Sequence, residues 1–304
     1  MHVLALLLAC TAVMLLTACD RQPVEKPIQY SATPVVGTAL PIYHLATYPE
    51  HNPRNLAEST QPLIDYLNQR VQGVHIELEA SRDFPAFEQK FRIREPAILI
   101  ANPVQTLGAQ KAGYHVIAMA GDPEDFRGIF LVRKDADITT PADLKGKVVS
   151  YPAPTAFAAC IMAQFFLYQH SIDVNRDIQT AYVGSHDSSI MNVYLGKSAA
   201  GVTWPPPWRR FQRDFPKEAA QLKVIWETPS YVVSNSVMVR DDVPSDVSLK
   251  IRQALLDLTD APGGRAILAG IPTARFHAAS DASYEVVRDY IVTFEKHVRR
   301  VEFK

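Results

Sequence analysis

The sequence has too few cysteines for a fold held together by disulfide bonds. It contains three Cys in 304 residues, and two of them lie within the first 19 residues. Only Cys160 remains in the body of the chain, where it has no partner for an internal bridge. Cys160 lies in the apolar run FAACIMAQFFLY, which is typical of a buried thiol that acts as a small apolar side chain. A reactive thiol is the alternative.

The chain also lacks an excess of charge of either sign. Its 31 Lys and Arg residues nearly balance 32 Asp and Glu residues, and no long basic run occurs. This balance gives no reason to expect a nucleic acid as a partner.

The common catalytic motifs are missing as well. The sequence contains no His-Glu-x-x-His, no Gly-x-Ser-x-Gly, no Walker loop and no Gly-x-Gly-x-x-Gly. His44, His51, His75 and His115 do not have the spacing of metal ligands. We therefore expect neither a metal nor a cofactor. A hydrolase or a metal-dependent protein would need a set of reactive or ligating residues that the sequence does not show.

A single long apolar run stands at the start of the chain. Residues 3–18, VLALLLACTAVMLLTA, are fewer than the roughly 20 needed to span a membrane, and they resemble the apolar region of a secretory signal. The run ends in LTAC (16–19), which resembles a bacterial lipobox, where the Cys becomes the lipid-bearing first residue of the mature protein. An uncleaved anchor helix is the alternative. Asp20 resembles the signal that retains such lipoproteins in the inner membrane.

We therefore predict that residues 1–18 form a lipoprotein signal peptide. Residues 19–38 then comprise the lipidated Cys19 and a polar, Pro-bearing tether. The mature protein is expected in the periplasm, anchored to the inner membrane through its lipid.

Beyond residue 39, short apolar runs alternate with segments of helical periodicity. Apolar or period-two runs predict strands, and apolar residues at helical spacing predict helices between them. Strands are expected at 40–47, 74–80, 97–101, 115–120, 128–133, 148–151, 178–183, 199–204, 222–226 and 235–240. This alternation indicates an α/β fold with mostly parallel sheets flanked by helices. The triplet PPP (205–207) is expected to stop regular structure.

The elements divide into two similar blocks, which predicts two α/β lobes. Lobe I is expected to comprise residues 39–130 and 238–304, and lobe II residues 131–237. Because the chain then crosses between the lobes twice, we expect a two-strand hinge with a cleft beside it.

The order of motifs in these blocks is similar to that of one family. The matching stretches are YP (48–49) with NP (52–53), QPL (61–63), DYL (65–67), GIFLVR (128–133), DLKGK (143–147), GSHD (184–187) and GKSAAGVTW (196–204). On these stretches the chain resembles the periplasmic substrate-binding proteins of phosphate, phosphite and phosphonate ABC transporters, which have the type II periplasmic-binding fold. The resemblance runs from about residue 40 to the end of the sequence.

The resemblance implies that the chain captures a small oxyanion in the cleft and delivers it, as a monomer, to an inner-membrane ABC permease. Helix amino-termini suit such a ligand because they present unpaired N–H groups and the positive end of the helix dipole. The alternative is a ligand-binding accessory of a membrane sensor kinase that uses the same fold for this or another anion. The sequence does not distinguish the two roles.

The chain departs from the family in two loops. After the strand at 148–151 the family carries a hydroxyl-rich Ser/Thr-Ser-Gly run, whereas this chain has PAPTAF (152–157). The two Pro residues lack N–H donors, so Thr155 is the hydroxyl that remains there. In the first lobe, Gln105 stands where the family has a Tyr. We therefore expect the fold to be shared more closely than the ligand.

Eight residues are candidates for contact with the ligand, each with a local structural role as its alternative. His186 can donate to an anion and is expected to titrate near neutral pH, whereas Asp187 can equally cap a helix. Trp204 is expected either to line the cleft or to brace the hinge. The full set is Tyr48, Asn102, Gln105, Thr155, His186, Asp187, Ser188 and Trp204.

Replacement of Cys19 by Ser is expected to release the protein from the membrane, because the serine hydroxyl cannot take the place of the lipid-bearing thiol. The measurement is the share of the protein that sediments with membranes. Cys10→Ser lies in the same apolar run and is the matched control, which should remain in the membrane fraction. Sedimentation of Cys19→Ser with the membranes would contradict the lipobox.

Overall fold

The computed structural model describes residues 40–49, 53–271 and 273–303. The predicted signal peptide, Cys19 and the tether lie outside the described residues. The strands are β1 (Ile42–Thr47), β2 (His75–Glu79), β3 (Ile98–Ala101), β4 (Tyr114–Ala120), β5 (Ile129–Arg133), β6 (Val148–Tyr151), β7 (Gln179–Tyr182), β8 (Ala200–Thr203), β9 (Leu222–Glu227), β10 (Asn235–Arg240) and β11 (Phe276–Ala278).

Helices separate most of these strands, as the alternation of periods predicts. A π-helical segment, Phe157–Met162, continues directly into the fourth α-helix. The α-helices are α1 (Pro53–Arg70), α2 (Phe84–Arg92), α3 (Pro103–Lys111), α4 (Ala163–Gln169), α5 (His186–Tyr194), α6 (Pro205–Asp214), α7 (Pro216–Ala219), α8 (Ser245–Asp257), α9 (Gly264–Gly270) and α10 (Glu285–His297).

The strands form two sheets, in the orders β11-β4-β10-β3-β1-β2 and β7-β6-β8-β5-β9. In the first sheet, β1 is parallel to β2 and β3, whereas β10 runs antiparallel between β3 and β4. In the second, β6 is parallel to β7 and β8, and β5 is antiparallel to β8 and β9. Most strands of each sheet therefore point one way, which confirms the predicted α/β fold class. We call the first sheet with its helices lobe I and the second lobe II.

The chain crosses between the sheets at 121–128 and again at 228–234, and the two crossings are bonded to each other. The Thr228 N–H donates to the Gly128 carbonyl (2.8 Å), and the Gly128 N–H donates to Thr228 Oγ1 (2.9 Å). A third bond joins the Tyr231 N–H to the Phe126 carbonyl (2.9 Å). The paired crossings form a short ribbon of the kind about which lobes rotate.

The largest apolar cluster joins the two lobes. It includes Phe84 and Phe91 of α2, Phe126 of the first crossing, Phe157 of the π-helical segment and Phe294 of α10, all at most 2% exposed. Full burial of a Phe side chain contributes about 1.5–3 kcal/mol. Apolar side chains of both lobes therefore share one buried core.

One prediction about local structure is wrong. The triplet Pro205–Pro207 does not stop regular structure but begins α6, with Trp204 as the cap residue. The first turn of a helix has no intrahelical acceptor for its N–H groups, and the fixed φ angle of Pro suits that turn.

Within the described ranges, no helix has both the length and the apolar character needed to cross a bilayer.

Gly128 lies in the first crossing at a point with no room for a side chain, because an added Cβ would overlap the carbonyl oxygen of Ala158. Gly128→Ala is therefore expected to lower the free energy of unfolding by about 1–3 kcal/mol, measured by chemical denaturation. Gly270→Ala is the matched control, since its Cβ would lie 3.5 Å from the nearest atom, the Ser59 carbonyl oxygen. Equal losses in the two variants would count against close packing at the crossing.

Candidate functional site

A small cavity lies between the lobes beside the hinge. Its volume of about 20 Å³ is room for about one water molecule. A larger solute therefore needs the lobes to separate as it enters and to close again around it. The walls come from lobe I (Tyr48, Phe84, Asn102, Asn235), the first crossing (Phe126) and lobe II (Ala156, Phe157, Ala158, Ala159, His186, Trp204).

The start of the π-helical segment supplies a backbone surface to this cavity. Its first internal bond runs from the Cys160 N–H to the Ala156 carbonyl (2.8 Å), an acceptor that the Ile161 N–H shares (3.1 Å). The N–H groups of residues 157–159 precede this bond, and the first N–H groups of a helix lack an intrahelical partner. Because residues 157–159 line the cavity, these donors and the positive end of the helix dipole favour an anion there.

Asn235 adds a polar group that sequence reasoning missed. Its Nδ2 donates to the Tyr48 hydroxyl (2.9 Å), and its buried Oδ1 has no hydrogen-bond partner among the described residues. A buried amide oxygen of this kind destabilises the fold unless something in the cavity donates to it. Since the Tyr48 hydroxyl can donate as well as accept, a half-turn of the amide would instead present its NH2 group to a ligand oxygen. The available signal was the polar triplet SNS (234–236) in an otherwise apolar strand.

A hydrogen-bonded network behind the cavity joins the lobes. The Thr155 hydroxyl of lobe II donates to the Glu88 carboxylate of lobe I (2.5 Å), and the Thr155 carbonyl accepts from Asn102 Nδ2 (3.1 Å). Gln105 Nε2 also donates to Glu88 (3.2 Å). Burial raises the pKa of Glu88, while the bonds from Thr155 and Gln105 act in the opposite direction. The network ties the loop in front of the π-helical segment to lobe I.

His186 lies in the cavity wall, but its ionisation differs from the expectation. Its Nδ1 is 2.9 Å from Thr203 Oγ1, and the residue is 3% exposed. Burial, assisted by the positive charge of Arg210, lowers the pKa of His186 from 6.5 to about 3. The expectation that this residue titrates near neutral pH is therefore wrong, because burial disfavours the charged ring. A neutral imidazole can still donate one hydrogen bond.

The two residues after His186 do not line the cavity. Asp187 pairs with Arg210 (2.8 Å); burial raises the pKa of Asp187, and the Arg210 charge acts to lower it. The Ser188 N–H donates to the Ser185 hydroxyl, which caps α5 (3.1 Å). In this structure both residues support the start of α5.

Aromatic side chains form the remaining walls. Phe126 stacks on Phe157 (6.1 Å between ring centroids) and meets Trp204 edge to face (5.4 Å). Tyr48 lies against Phe84 (5.9 Å). The described residues that line the cavity include no Lys and no Arg. The cavity thus combines neutral hydrogen-bonding groups with apolar faces.

The structure brings half of the eight candidate residues to the cavity, namely Tyr48, Asn102, His186 and Trp204. Gln105 and Thr155 form the layer behind it. Trp204 lines the cavity and also packs on the Phe126 ring of the first crossing. Sequence reasoning missed the apolar walls and the buried carboxylate, since a Phe in an apolar stretch or a Glu in an amphipathic helix carries no signal of a cleft. These residues are Phe84, Phe126, Phe157 and Glu88.

A larger groove of about 250 Å³ lies on the other side of Trp204, beside three arginines of α6. Each arginine already faces an aspartate, so the protein itself balances their charge. The smaller cavity is therefore the stronger candidate for a site. The pairs are Arg209–Asp125 (2.6 Å), Arg210–Asp187 (2.8 Å) and Arg213–Asp214 (2.9 Å).

Two α/β lobes, joined by paired crossings beside a cavity, are the architecture of the type II periplasmic-binding fold. Solved structures with this architecture include the binding component of an ABC phosphonate transporter from Pseudomonas aeruginosa, with a TM-score of 0.79, 16% identity and coverage of 85% of this chain and 88% of that chain. PhnD1 from Prochlorococcus marinus in complex with methylphosphonate has a TM-score of 0.77, 18% identity and coverage of 85% and 100%.

The chain belongs to the family of periplasmic substrate-binding proteins of phosphonate ABC transporters, whose model matches residues 45–284. This confirms the resemblance and the expectation of a binding protein rather than an enzyme. A curated relative is the probable ABC transporter phosphite-binding protein PhnD1 of Prochlorococcus marinus (strain MIT 9301), 25% identical over 125 residues. The match covers 38% of this chain and 42% of that relative, so the chain spans about two fifths of its length.

His186→Gln is expected to reduce the pH dependence of stability. The folded pKa lies below the unfolded value, so as the pH falls below 6.5 the unfolded chain binds a proton that the folded chain does not. Between pH 7 and pH 5 the native protein thereby loses about 2 kcal/mol, a loss that the variant avoids. Denaturant unfolding at the two pH values measures it, with exposed His75→Gln as the control. An unchanged slope in His186→Gln would contradict this account.

Cys160 is expected to resist thiol reagents in the native protein at pH 8. The residue is fully buried, and burial raises the pKa of its thiol to about 11 even though Arg299 acts to lower it. The thiolate that reacts is therefore scarce and inaccessible. Labelling should appear only with denaturant; rapid labelling of the native protein with loss of ligand binding would favour a thiolate-dependent ligand instead.

Proposed function

We propose that this protein captures a small oxyanion of the phosphonate or phosphite type in the cavity between its lobes. The observation that carries the proposal is the set of three backbone N–H groups, at residues 157–159, that open a helix into a buried cavity. Such donors bind anion oxygens without a charged side chain having to be desolvated. The curated relative is named as a phosphite-binding protein and a similar solved structure holds methylphosphonate, and both support this ligand class.

The walls favour an oxyanion of low charge with a small apolar substituent. The described lining residues include no cation, so a dianion would lose its hydration without a full countercharge. The rings of Phe126, Phe157 and Trp204 offer apolar faces to a hydrogen or a methyl group. Asn102, Asn235 and His186 can donate to the remaining oxygens.

Ligand binding is coupled to closure of the lobes. The bonds from Thr155 to Glu88 and from Asn102 to Thr155 cross between the lobes, so they exist only in the closed state. A ligand that contacts both lobes shifts the population toward that state. The closed protein then delivers its ligand to an inner-membrane ABC permease, with the lipid on Cys19 and the following tether keeping it close by.

The direct test is binding by residues 20–304, which lack the lipidated Cys. Phosphite, methylphosphonate, phosphate, sulfate and amino acids are compared by thermal shift and calorimetry. A ligand at about 100 times its Kd stabilises a protein by about 2.7 kcal/mol. Shifts with phosphite or methylphosphonate and not with sulfate are expected. A folded protein that responds to none of the phosphorus anions would overturn the proposal.

Asn235→Asp tests the sign of the ligand's charge, because it places a carboxylate of nearly the same shape in the cavity wall. Like charges in a buried site cost several kcal/mol, so the affinity for methylphosphonate should fall by about 100-fold or more. Gln169→Glu adds the same charge at the exposed end of α4 and is the matched control. Equal affinities in the two variants would show that no anion binds beside Asn235.

A further inference from the structure

Residues 298–303 follow α10 and run past the loop in front of the π-helical segment. The Val298 carbonyl accepts from Asn175 Nδ2 of lobe II (2.8 Å). At the other end, the Phe303 ring meets the Phe91 ring of α2 in lobe I edge to face (6.1 Å). The 298–303 segment therefore contacts both lobes on its way.

Arg299 makes the central contacts of this segment. Its Nη2 donates to the Pro154 carbonyl (2.8 Å), and its Nε donates to Gln164 Oε1 (2.7 Å). Its guanidinium also lies over the rings of Phe294 (5.4 Å) and Tyr182 (6.0 Å). Its Nη1 donates to the Arg300 carbonyl (3.0 Å), and its Nη2 also lies 3.4 Å from Cys160 Sγ. A planar guanidinium held by several directed bonds and two ring faces is fixed in orientation.

The carbonyl that Arg299 holds lies three residues before the π-helical segment begins. The next carbonyl, that of Thr155, accepts from Asn102 of lobe I, and the Thr155 hydroxyl donates to Glu88. Consecutive residues of one loop are thus held from opposite sides, Pro154 by Arg299 and Thr155 by lobe I. The orientation of this loop sets the direction of the N–H groups at 157–159.

The contacts of Thr155 and of Phe303 with lobe I both involve α2. Glu88, which accepts from Thr155, and Phe91, which packs on Phe303, lie three residues apart on α2, a spacing that places them on one face. Gly108 of α3 leaves space for the Phe303 ring, because a Cβ there would lie 2.9 Å from its Cζ atom. The Phe303 ring therefore packs closely against both α2 and α3.

We propose that Arg299 is a positioning residue for the oxyanion site: it does not touch the ligand but holds the loop that aims the N–H groups at 157–159. The 298–303 segment links this loop to α2. The contact of Phe303 with lobe I thereby helps to hold a loop of lobe II in place. This inference rests on the site described under the proposed function.

Arg299→Gln tests the proposal without a ligand, by hydrogen exchange of the unliganded protein. Loss of the charge-assisted bond to Pro154 should raise exchange in peptides covering 156–163 by about tenfold, with peptides from β1 to β3 unchanged. Arg300→Gln, at the exposed neighbouring position, is the matched control and should show no local change. Exchange that is unchanged in 156–163, or raised equally throughout the chain, would overturn the proposal.

Affinity for methylphosphonate provides the second readout, with each variant compared at a temperature where it is fully folded. Arg299→Gln should weaken binding by about tenfold and Arg299→Lys by less, since Lys keeps one donor toward Pro154. Phe303→Ala should also raise exchange in 156–163, and its failure to do so would refute the link to α2. If the wild type binds no oxyanion, the proposed function fails, while the exchange experiment still decides whether Arg299 holds the loop.

Discussion

The two hydrogen bonds that Thr155 makes to the opposite lobe set the geometry of the cleft. Its hydroxyl donates to the buried Glu88 carboxylate, and its carbonyl accepts from the Asn102 amide. The loop at 152–156 is therefore part of lobe II but is hydrogen-bonded to lobe I. The π-helical segment that follows lines the cavity with its first residues, so the held loop lies directly before the N–H groups at 157–159. Closure, cavity shape and the donors offered to an anion therefore depend on the same few contacts.

Among the residues that the structure describes, the wall of the cavity is polar without containing a Lys or an Arg. Placing a Lys or an Arg in so small a space would require desolvation of a full charge whenever the site is empty. Backbone N–H groups, a neutral His186 and two amides avoid that penalty, because each loses far less hydration energy than an ion. The arginines of α6, on the far side of Trp204, are balanced by aspartates and leave the cavity neutral. Such a wall favours a ligand that carries little charge of its own.

Sequence reasoning reached the parts of the site that lie within one loop or at one helix start. Asn102 is recognisable because it lies where a helix begins, and Tyr48 because it matches a position in the motifs of the family. Asn235 could have been noticed as a polar residue opening an apolar strand. Glu88 and Arg299 could not, since each acts on a loop far away in sequence, across 67 residues to Thr155 and 145 residues to Pro154. The Pro triplet was misread because proline stops a helix from within but favours its first turn.

The sequence by itself determined the alternation of strands and helices, the two-lobed α/β class and the family, because apolar periodicity and short motifs are local properties of the chain. Only the tertiary structure decided which polar groups meet in the cleft. It also decided that His186 is neutral, since the pKa of a side chain depends on the solvent and charges around it rather than on its neighbours in sequence. Tertiary structure also decided that Asp187 and Ser188 do not line the cavity. Adjacent residues on a helix point in different directions, and packing selects the one that faces the cleft.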